Sequence, residues 1–419
     1  MNMREYISET DVRSFLTNTP QITFEVTDKC NLSCEYCGYG KFYSNYSKRG
    51  NKRMSFKQIK PFIDYLVQLW ETPLNKSIKN NIYISFYGGE PLLNMDFIRT
   101  MIEYTENLNS PFRSFTYSMT TNAILLNKYM DYLVEKKIHL LLSIDGNEYN
   151  TSYRIDHKGN PVFNQIVNNI ELLEQKYPSF FESNVEFNAV LHNRNSVSEI
   201  LDFFKREYNK IPSIGELNTS GICEDMRSEF EKTYNNKVES LYSSENYTEI
   251  EKELFLNSPT YHSATMFLLK NSPFSFLNYN ELMYGRPDDS EVVPTGTCLP
   301  FTKRIFITVN GNILPCERIG HQFSLGKISD EKIDLDFAYI ANKYNHYYNR
   351  VKSSCKKCHN KRGCYQCIFN LADIDSKQKP LCYGYMDEAD FEKYKDNMFR
   401  FFKNRPESYA KIMNEVTIK

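Results

Sequence analysis

Between residues 21 and 222, short apolar runs alternate with longer amphipathic stretches. The short runs are rich in β-branched and aromatic residues, as strands are, and the longer stretches have helical periodicity. The predicted strands are 22–27, 81–87, 115–120, 138–144, 185–191 and 214–218. The predicted helices between them are 55–69, 92–108, 128–136, 163–174 and 198–208. This alternation predicts an α/β fold with a parallel sheet of roughly six strand–helix units, fewer than the eight of a closed barrel.

The remainder of the chain differs in character. Residues 223–295 are charged and rich in Tyr and Asn, with helical patterns and no predicted strand, and we interpret them as a helical bridge after a barrel domain at 1–222. Residues 296–384 carry seven of the eleven cysteines and are predicted to form a small second domain. Residues 385–419 have the pattern of a polar helical tail. A length of 419 residues fits one large domain and one smaller domain.

Charge and hydropathy exclude several classes of function. The chain has 51 basic and 52 acidic residues, so its totals do not indicate nucleic-acid binding. The N-terminus lacks the apolar core of a signal peptide, and no apolar run approaches the roughly 18 residues that a membrane span needs. We therefore predict a cytoplasmic protein without membrane association. Cysteines in that compartment stay reduced, and their clustering indicates metal binding instead of disulfides.

Three cysteines follow the first predicted strand within a single loop. Cys30, Cys34 and Cys37 are separated by three and then two residues, so their thiols can converge on one metal centre. Structural zinc takes four protein ligands, and iron–sulfur clusters usually take four thiolates. The loop therefore leaves two possibilities: a zinc site completed by a distant Cys or His, or a cluster with one iron open to another ligand.

Polar and glycine-containing motifs follow the next predicted strands. In parallel β/α folds, ligands bind at the carboxyl ends of the strands. Two glycines allow close approach of the backbone to a ligand, and a carboxylate beside them can pair with an ammonium group. The same residues could form an ordinary turn and helix start. The motifs are Gly88-Gly89-Glu90-Pro91 after the second strand, Thr121-Asn122 after the third and Asp145-Gly146 after the fourth.

A second group of cysteines lies in the C-terminal third of the chain. Its members are Cys298, Cys316, Cys355, Cys358, Cys364, Cys367 and Cys382. The gap between the two Cys-x2-Cys pairs is five residues. A zinc ribbon has a gap of roughly 15–20 residues. The short gap disfavours a ribbon without excluding zinc, and such crowded runs resemble those of ferredoxins.

The three-cysteine loop, with Tyr36 before its last cysteine, and the Gly-Gly-Glu-Pro motif together resemble the radical S-adenosylmethionine (radical SAM) superfamily. The resemblance implies a partial (β/α)6 barrel of the TIM type. It also implies a [4Fe–4S] cluster on Cys30, Cys34 and Cys37, whose fourth iron is chelated by the amino and carboxylate groups of SAM. The protein then supplies position and electrostatics, and the cofactor carries the radical chemistry.

By the same resemblance, Glu90 meets the SAM amino group, and the segments around Ser143 and Arg154 hold its ribose and carboxylate. For Arg154 the alternative is a surface salt bridge, and for Thr121 and Asn122 it is a satisfied strand-end turn. The residues predicted to contact SAM are Tyr36, Gly88, Gly89, Glu90, Thr121, Asn122, Ser143 and Arg154.

The C-terminal cysteines, with the segment 311–316, resemble the SPASM domain of enzymes that act on peptides and proteins. The resemblance implies one auxiliary [4Fe–4S] cluster on Cys355, Cys358, Cys364 and Cys382, and another on Cys298, Cys316 and Cys367. The last cysteine pair is spaced by two residues where the family usually has three, and seven thiolates are present where two full clusters need eight. Either one auxiliary iron is open or Cys223 completes the set, which gives three clusters in all.

The resemblance implies a radical SAM/SPASM maturase. An electron from a ferredoxin- or flavodoxin-type reductant would cleave SAM, and the 5′-deoxyadenosyl radical would act on a ribosomally made precursor peptide to form a thioether or carbon–carbon crosslink. Glu317 is a candidate base, or else a solvated residue after a turn. The alternatives are an anaerobic sulfatase-maturing enzyme that forms formylglycine and a non-catalytic iron–sulfur electron carrier or scaffold. No leader-binding domain is expected before residue 21.

Overall fold

The computed structural model describes residues 4–44, 49–76, 81–108, 110–271, 293–329, 332–376 and 378–416. The chain divides into two compact units. The larger unit consists of Thr10–Ile250 and Leu299–Phe337, and the smaller consists of Met1–Glu9, Glu251–Cys298 and Ala338–Lys419. No described helix has the length and apolar character needed to cross a membrane.

The described strands of the larger unit form one sheet. They are β1 Gln21–Thr27, β2 Asn81–Gly88, β3 Ser114–Thr121, β4 His139–Ser143, β5 Val185–Leu191, β6 Ser213–Glu216, β7 Ile305–Ile307, β8 Asn312–Leu314, β9 Gly326–Ser329 and β10 Lys332–Asp334. Their order is β10-β9-β8-β7-β1-β2-β3-β4-β5-β6. Strands β1 to β6 are parallel neighbours in chain order, which confirms the predicted fold class.

The helices of the larger unit connect these strands and cover the sheet. They are α1 Glu9–Thr17, α2 Phe56–Trp70, α3 Met95–Glu106, α4 Leu126–Glu135, α5 Phe163–Lys176, α6 Pro178–Asn184, α7 Val197–Tyr208, α8 Arg227–Thr233, α9 Lys237–Tyr242 and α10 Tyr247–Leu254, which extends beyond Ile250. The predicted helix at 92–108 is a 3-10 turn, Pro91–Asn94, followed by α3. Every residue of β1 after Gln21 is buried, as expected when both faces of a parallel sheet are covered.

Strand β7 pairs in parallel with β1, and β8 to β10 continue from it as antiparallel strands. These strands come from the segment that the sequence assigns to the cysteine-rich domain, yet they extend the sheet of the barrel. The predicted boundaries at 222, 295 and 384 remain a prediction, and the two units give a different partition. The first strand is consequently an interior strand of the sheet.

The smaller unit is helical around a core of its own. Its helices are α11 Pro259–Asn271, α12 Phe337–Lys357, which starts one residue before Ala338, α13 Glu388–Asn404 and α14 Pro406–Glu415. Met398 and Ile412 from the predicted tail pack with Tyr261 and Phe267 of α11. The tail is therefore part of a packed core. The predicted bridge is helical in its described part, and residues 272–292 lie outside the described residues.

Candidate functional site

The three-cysteine loop begins where β1 ends and brings its thiols together. Burial and the nearby thiols of Cys37 and Cys30 together raise the pKa of the Cys34 thiol to about 12, although the Arg154 guanidinium acts to lower it. The loop backbone is fixed by hydrogen bonds from Ser33 N to Ile155 O at 2.8 Å and from Glu35 N to Tyr153 O at 3.2 Å. The segment that contains Arg154, which the resemblance assigns to SAM binding, therefore runs alongside the loop.

The Gly88-Gly89 turn presses against the backbone that leads into this loop. Gly88 has φ +131°, and a Cβ there would lie 2.2 Å from Thr27 O. A Cβ on Gly89 would lie 2.1 Å from Lys29 O. Gly89 N donates to Thr27 O at 2.8 Å. The glycines thus allow close approach to the loop's own backbone, whereas the sequence had suggested close approach to a ligand.

Glu90 is fully buried at the end of this turn. Its carboxylate accepts hydrogen bonds from Thr121 Oγ1 at 2.7 Å, Asn122 N at 2.9 Å and Leu92 N at 3.1 Å. Burial raises its pKa to about 7, because the three hydrogen bonds offset the loss of hydration only in part. The side chain of Asn122 donates to Asn31 Oδ1 at 2.8 Å. The ends of β1, β2 and β3 therefore meet around this carboxylate.

Arg154 is buried in a bidentate ion pair with Asp145, the residue that follows Ile144 after β4. Its Nε donates to Asp145 Oδ2 at 2.9 Å and its Nη2 to Oδ1 at 2.8 Å. The hydroxyl of Tyr36 also donates to Asp145. With a relative exposure of 6%, Arg154 is not in the surface salt bridge considered as an alternative. Two of its five N–H groups are already engaged within the chain.

His192 completes this group from the end of β5. Its ring stacks on that of Tyr36 at 5.5 Å between centroids, and burial lowers its pKa to about 4, so it is neutral near pH 7. No sequence motif contains His192, so its place in this group comes from the structure alone. Ser143 is the last residue of β4 and lies opposite Asn188 of β5. Asp145 stood within a singled-out motif, but its pairing with Arg154 was not foreseen.

Two buried donors beside the three thiols have no hydrogen-bond acceptor among the described residues. They are Asn31 Nδ2 and Arg49 Nε. A buried donor without an acceptor costs about 1–3 kcal/mol, so a loop that keeps two of them is suited to an acceptor-rich group from outside the chain. The sulfides of an iron–sulfur cluster are such acceptors. Neither donor was singled out from the sequence.

In the smaller unit, four predicted ligands line one cavity of about 290 Å³. Cys355, Cys358, Cys364 and Cys382 all contribute to its wall. Burial, together with the neighbouring thiols of Cys364, Cys382 and Cys358, raises the pKa of Cys355 to about 12. No three His, Cys, Asp or Glu side chains in the described part of the chain meet tightly enough for a single metal ion. The cavity that the four thiols line has room for a group larger than a single ion, and the predicted cluster there stays a prediction.

The other predicted auxiliary set is divided between the units. Cys298 and Cys367 belong to the smaller unit and Cys316 to the larger, so their grouping stays a prediction. Burial and the Cys298 thiol both raise the pKa of Cys367. Cys223 is partly buried, and its N donates to Phe42 O at 2.8 Å, close to the end of the three-cysteine loop.

Glu317 is largely buried and paired. Its carboxylate accepts a hydrogen bond from Arg304 Nη1 at 2.8 Å and lies 3.5 Å from Cys316 Sγ. The side chain is 15% exposed, so it is not the solvated residue considered as an alternative. Arg304 was not foreseen, because no motif connects it with Glu317.

Comparisons with known proteins identify the same region. Residues 24–206 match the family model of the radical SAM superfamily. The chain is 27% identical over 233 residues to the radical SAM cyclopropyl synthase TigE of Paramaledivibacter caminithermalis, covering 53% of this chain and 46% of that protein. It is 28% identical over 191 residues to a cysteine-type anaerobic sulfatase-maturating enzyme of Clostridium novyi, covering 43% and 46%. The matches span less than half the length of these curated relatives.

A solved structure has a similar fold over most of the chain. The structure described as native anSMEcpe with bound AdoMet, which is SAM, and Kp18Cys peptide superposes with a TM-score of 0.59. The superposition covers 94% of this chain and 99% of that one, at 18% sequence identity. At this identity the likeness concerns the fold alone.

Proposed function

Because residues 24–206 belong to the radical SAM superfamily, we propose that the protein cleaves SAM reductively and uses the resulting radical to modify a ribosomally made peptide. The observation that carries this proposal is the set of three thiols, Cys30, Cys34 and Cys37, on a loop held against the buried carboxylate of Glu90. The bound cluster would supply the electron that breaks a carbon–sulfur bond of SAM. The product on the peptide would be a thioether or carbon–carbon crosslink.

The three thiols would serve as the only protein ligands of this cluster. Burial raises the pKa of the Cys30 and Cys34 thiols and so favours their protonated form, and loading the cluster should therefore release protons as the thiolates form. Asn31 Nδ2 and Arg49 Nε would donate hydrogen bonds to the cluster, which would give each of these buried atoms an acceptor. A three-thiolate site leaves the fourth iron for the amino and carboxylate groups of SAM.

Glu90 would receive the ammonium group of SAM. Its three hydrogen bonds fix the carboxylate, and no described cation pairs with it, so an incoming ammonium would be its first charged partner. Gly88, Gly89, Thr121 and Asn122 would shape this end of the site.

Arg154 would hold the SAM carboxylate with the N–H groups that Asp145 leaves free. The guanidinium is oriented by its bidentate pair, which is the arrangement expected of a residue that must present its remaining donors in a fixed direction. Tyr36 and Ser143 complete the proposed SAM contacts.

The smaller unit would carry the auxiliary clusters. The cavity lined by Cys355, Cys358, Cys364 and Cys382 supports one [4Fe–4S] cluster, and Cys298, Cys316 and Cys367 are proposed for another. With the loop cluster this makes three. A ferredoxin- or flavodoxin-type protein would provide electrons. We propose a cytoplasmic location, because ten of the eleven cysteines are proposed cluster ligands and need a reducing compartment.

The proposal is tested by anaerobic reconstitution followed by reduction with dithionite in the presence of SAM. We expect 5′-deoxyadenosine from the wild type, none from the triple variant C30A/C34A/C37A, and an unchanged amount from C223A, which removes a thiol outside the loop. Iron near three clusters per chain is expected, and stoichiometric zinc would contradict the proposal. Absence of 5′-deoxyadenosine with and without candidate peptides would favour a non-catalytic iron–sulfur protein.

Sulfatase maturation is the second candidate function. It is favoured by the similarity to the Clostridium novyi enzyme and to the anSMEcpe fold. Incubation with a cysteine-containing sulfatase peptide distinguishes the two, because formylglycine carries an aldehyde that reacts with hydrazides, whereas a crosslinked precursor peptide does not.

Glu317 remains a proposed base for the peptide step. Arg304 holds Oε1 of its carboxylate, which leaves Oε2, 3.5 Å from Cys316 Sγ, to accept the proton. In E317Q we expect 5′-deoxyadenosine to form as in the wild type while the modified peptide decreases. Equal amounts of modified peptide from E317Q and wild type would exclude this role.

A further inference from the structure

Arg49 lies beside one thiol of the three-cysteine loop. Its Nη2 donates to Cys37 Sγ at 3.2 Å. Its Nε is buried and has no acceptor among the described residues. The guanidinium therefore contacts a proposed cluster ligand through Nη2. Its Nε can donate to a group from outside the chain.

The position of Arg49 is fixed from two directions. Its guanidinium carbon lies 4.8 Å from the centre of the Tyr39 ring, and the Tyr39 hydroxyl donates to Glu25 Oε1 at 2.6 Å. The other oxygen of Glu25 accepts a hydrogen bond from Val309 N at 2.9 Å. On the other side, Gly50 N donates to Asp28 Oδ2 at 2.6 Å. The stacking on Tyr39 and the hydrogen bond of the next residue, Gly50, together hold the guanidinium of Arg49 in a fixed position beside the loop.

Two other cations near the loop, Arg154 and Lys41, are paired with carboxylates. Arg154 forms a bidentate pair with Asp145. Lys41, at the far end of the loop, is partly exposed and pairs with Glu35 at 2.8 Å and Glu229 at 2.7 Å. Arg49 has no carboxylate within salt-bridge distance in the described part of the chain. Its charge is therefore directed mainly at the thiols.

We propose that Arg49 is a positioning residue that raises the reduction potential of the cluster on Cys30, Cys34 and Cys37 by acting through Cys37. The inference rests on the proposed function. Reduction adds negative charge to the cluster, and a partly buried cation that donates to a ligand sulfur stabilises the reduced form more than the oxidised form. Partial burial of Arg49 and the thiols weakens the screening of this interaction by water.

The test is a potentiometric titration of the reconstituted full-length chain, monitored by electron paramagnetic resonance. The signal of the loop cluster is assigned as the one that disappears in C30A/C34A/C37A. We expect R49Q to shift the equilibrium toward the oxidised cluster at least tenfold at a fixed potential, which is about 59 mV for a one-electron couple. K41Q removes the same charge from the solvent side of the loop and should leave the midpoint unchanged.

Each other outcome contradicts the proposal. An R49Q midpoint equal to the wild type would overturn it, and so would an equal shift in K41Q, which would point to a general field of the loop. If R49Q does not bind iron at the loop, the midpoint potential of R49K is measured instead. The lysine side chain is shorter, so we expect its ammonium to lie farther from Cys37 and the midpoint to fall below that of the wild type. An unchanged midpoint in R49K would refute the role of Arg49. Wild-type signals in C30A/C34A/C37A would overturn the proposed function itself, and this inference with it.

Discussion

Arg154 and Asp145 form a bidentate ion pair, with donor–acceptor distances of 2.9 and 2.8 Å, and neither side chain is appreciably exposed. The pair joins the end of β4 to the segment alongside the three-cysteine loop. It also receives the hydroxyl of Tyr36 from that loop. Removing the charge of Asp145 would leave a buried guanidinium without its counter-ion.

We therefore expect D145N to destabilise the protein by about 3–5 kcal/mol, the usual cost of breaking a buried pair from one side. Thermal unfolding followed by circular dichroism measures this. The matched control is K60Q, which removes the exposed pair of Lys60 and Asp64 at 2.7 Å and should cost about 0–1 kcal/mol. Equal unfolding temperatures for the two variants would show that the pair contributes no more than a surface contact.

The raised pKa of Glu90 predicts a pH dependence of SAM binding. Burial brings this pKa to about 7, so the carboxyl is increasingly neutral below that pH in the empty protein. A bound ammonium favours the ionised form and lowers the pKa, so binding must expel a proton at low pH. Affinity for SAM should fall as pH drops below 7, by up to about tenfold per pH unit, and should level off above it.

Equilibrium dialysis with SAM on either side of pH 7 measures this dependence. E90Q should bind SAM weakly at every pH and lose the dependence. E35Q is the control, because Glu35 lies in the same loop but is partly exposed and pairs with Lys41. A pH profile in E90Q that matches the wild type would show that another group titrates.

The close approach of Gly89 to the loop backbone predicts that G89A loses the loop cluster. An added Cβ would meet Lys29 O at 2.1 Å, so the backbone leading to Cys30 must move. We expect reconstituted G89A to bind less iron and to produce no 5′-deoxyadenosine. G215A is the control, because no atom lies within 4 Å of the Cβ it adds. Full iron content in G89A would show that the turn can yield without moving the loop.

The cavity of the smaller unit predicts that C355A affects one cluster only. Four thiols line this cavity, and loss of one should remove most of the iron that they hold. Formation of 5′-deoxyadenosine should persist, because the loop ligands are in the larger unit. Mössbauer spectra of wild type and C355A report the cluster content. A C355A protein with unchanged iron would remove Cys355 from the ligand set.

The sequence predicted the elements that repeat and missed the contacts that connect distant segments. Strands β1 to β6 were found because buried parallel strands are continuous apolar runs bounded by turn residues. The turn residues that end these apolar runs also marked the motifs at the carboxyl ends of the strands. Strand β7 is three residues long and pairs with a strand far earlier in the chain, which no local pattern encodes.

Site partners were missed for the same physical cause. In three pairs, the spacing of the two residues along the chain does not indicate that they are in contact. The pairs are Asp145 with Arg154, Arg304 with Glu317, and Arg49 with Cys37. The chemistry of each residue type was visible, but which charge neutralises which depends on side-chain direction. Glu90 shows the converse: its motif was recognised, while its burial, and hence its raised pKa, required the structure.

The pairing of β7 with β1 bears on how the protein could open. Strand β1 has a ladder of hydrogen bonds on each side, to β2 and to β7, and its last residue, Thr27, lies three positions before Cys30, the first cysteine of the loop. Its amide hydrogens should therefore be among the last to exchange with deuterated solvent, since they lie in a buried interior strand of the sheet. With the proposed cluster on this loop, we expect the cluster to leave and return while the strand at the base of the loop stays folded.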